Sequence, residues 1–418
     1  MGSNQFNTAV IIADKMLEYF DGVSMIASKI NTDYRSDFLL TPEGHGVGQT
    51  IYVEKPPRFQ SIAGPAITQT EPINPPKIPV MINTWRTVPV DLSGMDLTFN
   101  ARNFDIWAEK WLKPLVSPLA NDVDVAIFNL WSQIANQVGT CGTGFGSTSA
   151  TAYDLMASAA EKLDYFLTPQ TDRITYVNPT AARKFGSAIA TGYNPQGEIS
   201  EVFRRNKLSD VAGFEMYKAT NIQTYTGGTL VTGDSPTTAT SGAVMSGTNG
   251  INVASVTTHT LPVGAVINIA GVYSVNPVTK LSTSLLADLV VTQAFTGNTT
   301  GTIQVQTSDG KGLIASGAYQ NVSNLPATSK AITISGVPVA TTGVYPMNLA
   351  LWKKALGLVT VPIKAPKGLD SVQRNYKGIG ITISYGPDIM NFRGIWRADM
   401  VFGTCVYYPE NACRVIGN

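Results

Sequence analysis

Apolar residues near the start of the chain keep a helical spacing. In "FNTAVIIADKMLEYF" they fall three and four apart up to Phe20. Asn7 or Thr8 caps this stretch, and Gly22 separates it from a second short helix. So short a helix does not persist alone in water, so it packs on something, a neighbouring subunit among the candidates. From Thr41 the pattern changes. Gly44, Gly46 and Gly48 precede "TIYVEK", which alternates polar and apolar positions as a strand does, and prolines crowd the stretch up to Pro79. That density excludes helix and leaves a long projecting hairpin at residues 41–76. Strands resume at "KIPVMINTWRTVPVDLS". Between Phe104 and Val138, Trp107, Trp111, Leu115, Leu119, Val123, Ile127, Trp131 and Ile134 form one apolar stripe. The spacing predicts a helix of roughly 50 Å, kinked or broken near Pro114 and Pro118. Plain core packing accounts for the tryptophans. Helix, strand and Asn-Pro turn then alternate through "TAYDLMASAAEKLDYFL", "RITYVNPTAARKFGSAI" and "VAGFEMYKATNI".

Composition adds a boundary that periodicity does not show. Between Gly228 and Thr342 stand only six charged residues in 115, against 53 in the other 303, and all six tryptophans lie outside. Short β-branched runs there, such as "GAVINIAGV" and "KAITISGV", alternate with turn signals. This is the pattern of a small all-β barrel or sandwich. After Gly343 the earlier character returns. The simplest organisation is an α+β body with a β-module set into it at residues 228–342, an insertion that succeeds where chain ends lie close together.

Charge and motifs narrow the function by exclusion. A net charge of +1 argues against a dedicated nucleic-acid binder and suits a protein that meets copies of itself. The start has no basic region followed by an apolar run of signal-peptide type, and no apolar stretch reaches bilayer length. Cys141, Cys405 and Cys413 lack C-x-x-C spacing and read as buried free thiols of a reducing cytoplasm. The only histidines, His45 and His259, belong to no catalytic or metal motif and read as loop residues, so no enzyme, cofactor or metal site is expected. "CGTGFGST" lacks the Gly-Lys-Ser/Thr ending of a phosphate loop and reads as a connector. The weak basic clusters Arg204, Arg205, Lys207 and Lys364, Lys367, Arg374, Lys377 read as solvated or inter-subunit faces, with weak contact to enclosed nucleic acid as the alternative.

This order of parts resembles the major capsid proteins of tailed bacteriophages with the Hong Kong 97-type fold. It is most similar to the short-tailed-phage branch carrying an inserted β-barrel. "NTDYRSDF", "GQTIYVEKPPRF", "ITYVNPTAARKF", "GVYSVNPVTK" and "YYPENACRV" carry the match. The resemblance implies an α+β capsid fold with an N-terminal arm at 1–40 and an extended loop at 41–76. A peripheral domain with a spine helix follows at 77–138, then an axial domain at 139–227 that 343–418 completes before returning to the body, with the inserted barrel at 228–342 on the outer surface, assisting folding. It also implies an icosahedral shell of hexamers and pentamers around double-stranded DNA, assembled in the bacterial cytoplasm without a membrane. Scaffolding, portal and decoration proteins would be partners. Tyr52, Lys55, Arg58 and Phe59 in the loop would touch a neighbouring subunit. Ile12, Phe20 and Tyr34 in the arm would touch a neighbour or the scaffolding protein. A tail or adhesin-like protein that binds a cell surface is the competing reading.

Overall fold

The computed structural model describes residues 4–32, 50–59, 75–93, 104–140, 149–192, 210–230, 236–239, 244–336, 344–361, 363, 370–388 and 393–417. Tyr34, His45, Cys141, the Gly-rich connector, Arg204, Arg205, Lys207, Lys364 and Lys367 lie outside the described residues. The fold is mixed α+β, sheet-rich with few helices, and divides into two compact units.

The first unit comprises residues 1–55, 77–127 and 356–405. Its sheet runs Leu356–Val361, Arg393–Val406, Ile379–Asp388 and Asp370–Tyr376, all neighbours hydrogen-bonded, and Thr84–Ser93 also pairs with Arg393–Val406. Helix α1 (Asn4–Val23) lies on this sheet. Ala13, Met16, Leu17 and Phe20 repeat at helical spacing and are buried, while Asp14 and Asp21 reach outward to Arg374 and Lys377 at 3.3 and 2.6 Å. Apolar burial therefore fixes the face and the ion pairs trim its edge, since exposed pairs add little. Phe20 is fully buried in the single chain, on the chain's own sheet. An amphipathic stripe shows that a helix must pack, and not on which chain.

Helix α2 (Phe104–Phe128) is continuous through Pro114 and Pro118, so of the expected kink or break the break does not occur. The two prolines are four apart and both exposed, so water can serve the carbonyls that lose their N–H partners. The helix also stops earlier than its apolar stripe predicts. A 3₁₀ turn follows at Asn129–Gln133, and Gln137–Val138 is a strand paired in parallel with Arg414 and Val415.

Near the end of α2, Asp124 is almost completely buried and accepts backbone N–H groups from Met25, Ile26 and Ala27 at 2.8, 3.3 and 3.3 Å. It holds the turn after α1 onto α2. Burial pushes its carboxyl above the ordinary 3.8, against the pull of these three donors. The native state therefore binds this proton more tightly than the unfolded chain. The residue's contribution to stability grows as pH falls through the raised value toward the ordinary one. Asp124→Ala should cost roughly 2–4 kcal/mol at pH 7 by stranding three donors. In urea unfolding, the gap to wild type should widen between pH 7 and pH 4.5. A gap that narrows would mean that the donors outweigh burial.

The second unit comprises residues 56–76, 128–355 and 406–418. One sheet runs Gln137–Val138, Ala412–Ile416, Val344–Trp352, Arg173–Val177 and Glu215–Lys218, with Thr224–Thr226 also on Val344–Trp352. Helices α3 (Ser149–Tyr165) and α4 (Pro179–Gly192) cover it through Met156, Leu163, Ala182 and Phe185. A second sheet of six strands runs Thr237–Thr238, Gly250–Leu261, Phe295–Gln306, Leu289–Val291, Val266–Ile269 and Ile332–Ile334. The two end strands of that path also meet. Thr237 bridges Ala331, and the N–H of Ile332 donates to the carbonyl of Pro236 at 2.8 Å, so the strands form a ring. Ile251, Val253, Ile267, Ile269, Ile303 and Val305 are among its buried side chains.

Beside the ring, Tyr273–Val275 and Ser282–Leu286 make a hairpin. Its turn follows from "NPVTK": the Asn276 carboxamide oxygen accepts the N–H groups of Val278 and Thr279, an Asx turn that Pro277 favours.

Candidate functional site: the seam between strand ring and body sheet

The segment after α2 builds a polar seam inside the second unit. Trp131, in the 3₁₀ turn, stands edge-on to Tyr225 at 5.7 Å between ring centroids. The guanidinium of Arg414 lies over its indole at 5.5 Å and donates through Nη1 to the carbonyl of Gly264 at 2.6 Å. Arg414 is almost fully buried in the strand Ala412–Ile416. Gly264 has φ +84°, and a Cβ there would lie 2.7 Å from the Trp131 ring. The ring backbone can approach the indole because this residue has no side chain.

Asn136 and Gln137 continue the seam. The Asn136 amide donates to the carbonyls of Glu410 and Ala412 at 3.0 and 3.1 Å, and its oxygen accepts from Ser308 at 2.7 Å. Gln137 donates its side-chain amide to the Ser335 carbonyl at 2.9 Å. Its backbone N–H reaches Asp288 at 3.2 Å, and its backbone carbonyl accepts from Lys162 at 2.6 Å. Asp288 is the central anion. Lys162 of α3 pairs with one of its oxygens, and Asn268 donates to the other at 2.8 Å. A carboxylate this buried is tolerated because a cation and two further donors satisfy it. Early termination of the helical stripe is what makes the seam possible, because only an extended backbone at Gln137 has its N–H and C=O free for Asp288 and Lys162.

Sequence reasoning missed these residues, although two signals were present. Asp288 is one of six charges in a nearly uncharged segment, and Arg414 interrupts the apolar run "ACRVI". A charge where the pattern asks for an apolar residue is either exposed or paired inside.

The residues expected at inter-subunit contacts are not brought together as one site. In the first unit, Thr50–Glu54 and Lys77–Met81 pair as a hairpin that buries Val53 and Val80 and leaves Tyr52 63% exposed. Lys55 follows it, partly exposed. In the second unit, Arg58 pairs with buried Glu410 at 3.1 Å, whereas Phe59 is 59% exposed. Arg58 thus has a partner within its own unit. Ile12 lies in α1, its side chain outside the described residues. Cys405 and Cys413 are buried thiols, and burial pushes the Cys413 thiol up to about 12, which makes it chemically inert. His259 lies in a ring strand rather than in a loop. Among the described residues, no three His, Cys, Asp or Glu side chains converge as a metal site requires, and no helix is long and apolar enough to cross a membrane.

The family model described as "P22 coat protein - gene protein 5" matches residues 1–417, and the chain belongs to that family. It is a major capsid protein, a structural component of a phage shell and not an enzyme. Among solved structures, it is similar to one from Mycobacterium phage Che8, at 12% identity and a TM-score of 0.45, covering 94% of this chain and 90% of that one. The capsid of the cyanophage P-SCSP1u gives 14% identity and 0.41 over 88% and 83% of the two chains. The mature capsid of bacteriophage PhiM1 gives 12% and 0.41 over 88% and 81%. No curated protein matches the sequence directly.

Proposed function

We propose that copies of this chain assemble into an icosahedral shell of Hong Kong 97-type architecture that encloses double-stranded DNA. The observation that carries this reading is the family match over residues 1–417. In this reading α1 belongs to an N-terminal arm at 1–40, residues 41–76 are an extended loop, and α2 is the spine of a peripheral domain at 77–138. Residues 139–227 begin the axial domain, and 343–418 complete it and return to the body. The strand ring is an inserted barrel at 228–342 on the outer surface. Exposure of Tyr52 and Phe59 supports their use, with Lys55, against a neighbouring subunit. Scaffolding, portal and decoration proteins would join the shell, which forms in the host cytoplasm and touches its DNA without sequence preference. The adhesin-like reading is not favoured.

Expression alone and with a scaffolding protein, followed by sedimentation and electron microscopy, tests this. Shells are expected under at least one condition, and persistent monomers under both would overturn the proposal. Deleting residues 228–342 should leave a chain that folds poorly, because Asn136, Gln137, Lys162 and Arg414 lose seam partners together. A deletion variant that is soluble and assembles normally would remove the folding role of the ring.

A further inference from the structure

The second unit carries a surface that the seam does not use. On α3, Ala152, Met156, Ala159 and Leu163 face the sheet. The adjoining stripe, through Tyr153, Ala157, Ala160 and Glu161, floors an open groove, with Ala160 at its inner edge still packed on the core. The turn at Ala212 and Gly213, together with Asn276 of the hairpin, lines its side. Tyr153 and Tyr165 are 46% and 36% exposed there. Of the acidic residues on this stripe, Asp164 is committed to Arg173 at 2.5 Å. Asp154 and Glu161, seven positions apart, are exposed and make no ion pair among the described residues. The neighbouring helix α4 has the opposite sign. Ala181, Ala182 and Phe185 enter the core, while Arg183 is exposed and Lys184 half-exposed, also without an ion pair among the described residues.

We propose that these are the two halves of one contact between copies of this chain, with Arg183 and Lys184 of a second copy docking on Tyr153, Asp154 and Glu161. A guanidinium stacks on a tyrosine face while bonding a carboxylate, and alanines let another backbone approach. Tyrosine and arginine are the side chains that most often anchor interfaces. Both halves lie on one near-neutral chain that must meet its own copies. Acidic stripe against acidic stripe is repelled and acidic against basic is attracted, so the arrangement also selects orientation. This inference rests on the coat-protein reading and gives the body helices, rather than the loop or the ring, a role in assembly.

The test is a charge swap in the full chain. Asp154→Lys with Glu161→Lys, and separately Arg183→Glu with Lys184→Glu, should each lower shell yield at least tenfold, with far-UV circular dichroism and melting unchanged. All four changes in one chain should restore assembly. Normal assembly by either reversed variant, or a folded four-fold variant that does not recover, overturns the proposal and points to a different basic partner for the groove. Should a reversed chain not fold, Glu161→Gln and Arg183→Gln read the same contact. Each should weaken assembly and flatten its salt dependence, and an unchanged salt dependence counts against it. Wild-type chains that form no shells would count against the proposed icosahedral shell instead. A charge-dependent dimer at high concentration would still report this contact, and its absence would overturn it.

Discussion

Asp288→Ala should lower the stability of the second unit by roughly 2–4 kcal/mol, read as a drop in the urea midpoint at an unchanged slope. The substitution leaves Lys162 facing the Gln137 carbonyl without its counter-ion, and removes the acceptor of the Gln137 backbone N–H and of one Asn268 amide N–H, the other still bonded to the Ala287 carbonyl. A fully buried pair costs about 3–5 kcal/mol to break. The expected figure is lower because the Lys162 side chain keeps 23% exposure and can reach water. Asp288→Leu combined with Lys162→Met should recover most of the loss, since replacing both ions with apolar groups removes the unpaired charge. A single-variant loss below about 1 kcal/mol would mean that the ring is not held through this anion.

Gly264→Ala should be costly for a different reason. Its φ of +84° strains any side chain by about 1–2 kcal/mol, and the new methyl would meet Trp131 at 2.7 Å. Together these predict about 2–5 kcal/mol and a changed tryptophan near-ultraviolet signal. Gly271→Ala is the control, because Gly271 has φ +86° and open space where the methyl would go. It carries the backbone strain alone, so the difference between the two variants measures the contact with the indole. Equal losses would show that the indole gives way freely and that the close approach of ring to body is not required.

How much of this was legible in the sequence depended on whether the cause was local. The alternation in "TIYVE" and "KIPVM" reports a half-buried hairpin because one face of each strand meets a core. The turn at Asn276 is readable because its own side chain makes the hydrogen bonds. The ring could be seen as a region because a segment that buries most of its apolar residues and carries few charges stands out against its neighbours. The seam was not readable, since Asn136, Lys162, Asp288 and Arg414 are brought together only by tertiary pairing. The same pairing, Gln137 with Arg414, ended a helix that periodicity alone would have carried to Val138. For Phe20 the stripe specified burial correctly in kind, but nothing local distinguishes a chain's own sheet from that of a neighbour.

The position of Ala412–Ile416 between Gln137–Val138 and Val344–Trp352 has a consequence during synthesis. The ring can close as soon as Ile334 has left the ribosome, because all six of its strands are then available. The body sheet cannot, since this interior strand is made last, long after its neighbour Gln137–Val138 and after Val344–Trp352 on its other side. Until Arg414 emerges, the Gly264 carbonyl has no guanidinium to receive and the sheet stays open along two strand edges. A closed ring can therefore precede the body for that whole interval, and the strand bearing Arg414 then supplies both the missing sheet strand and the last seam partner.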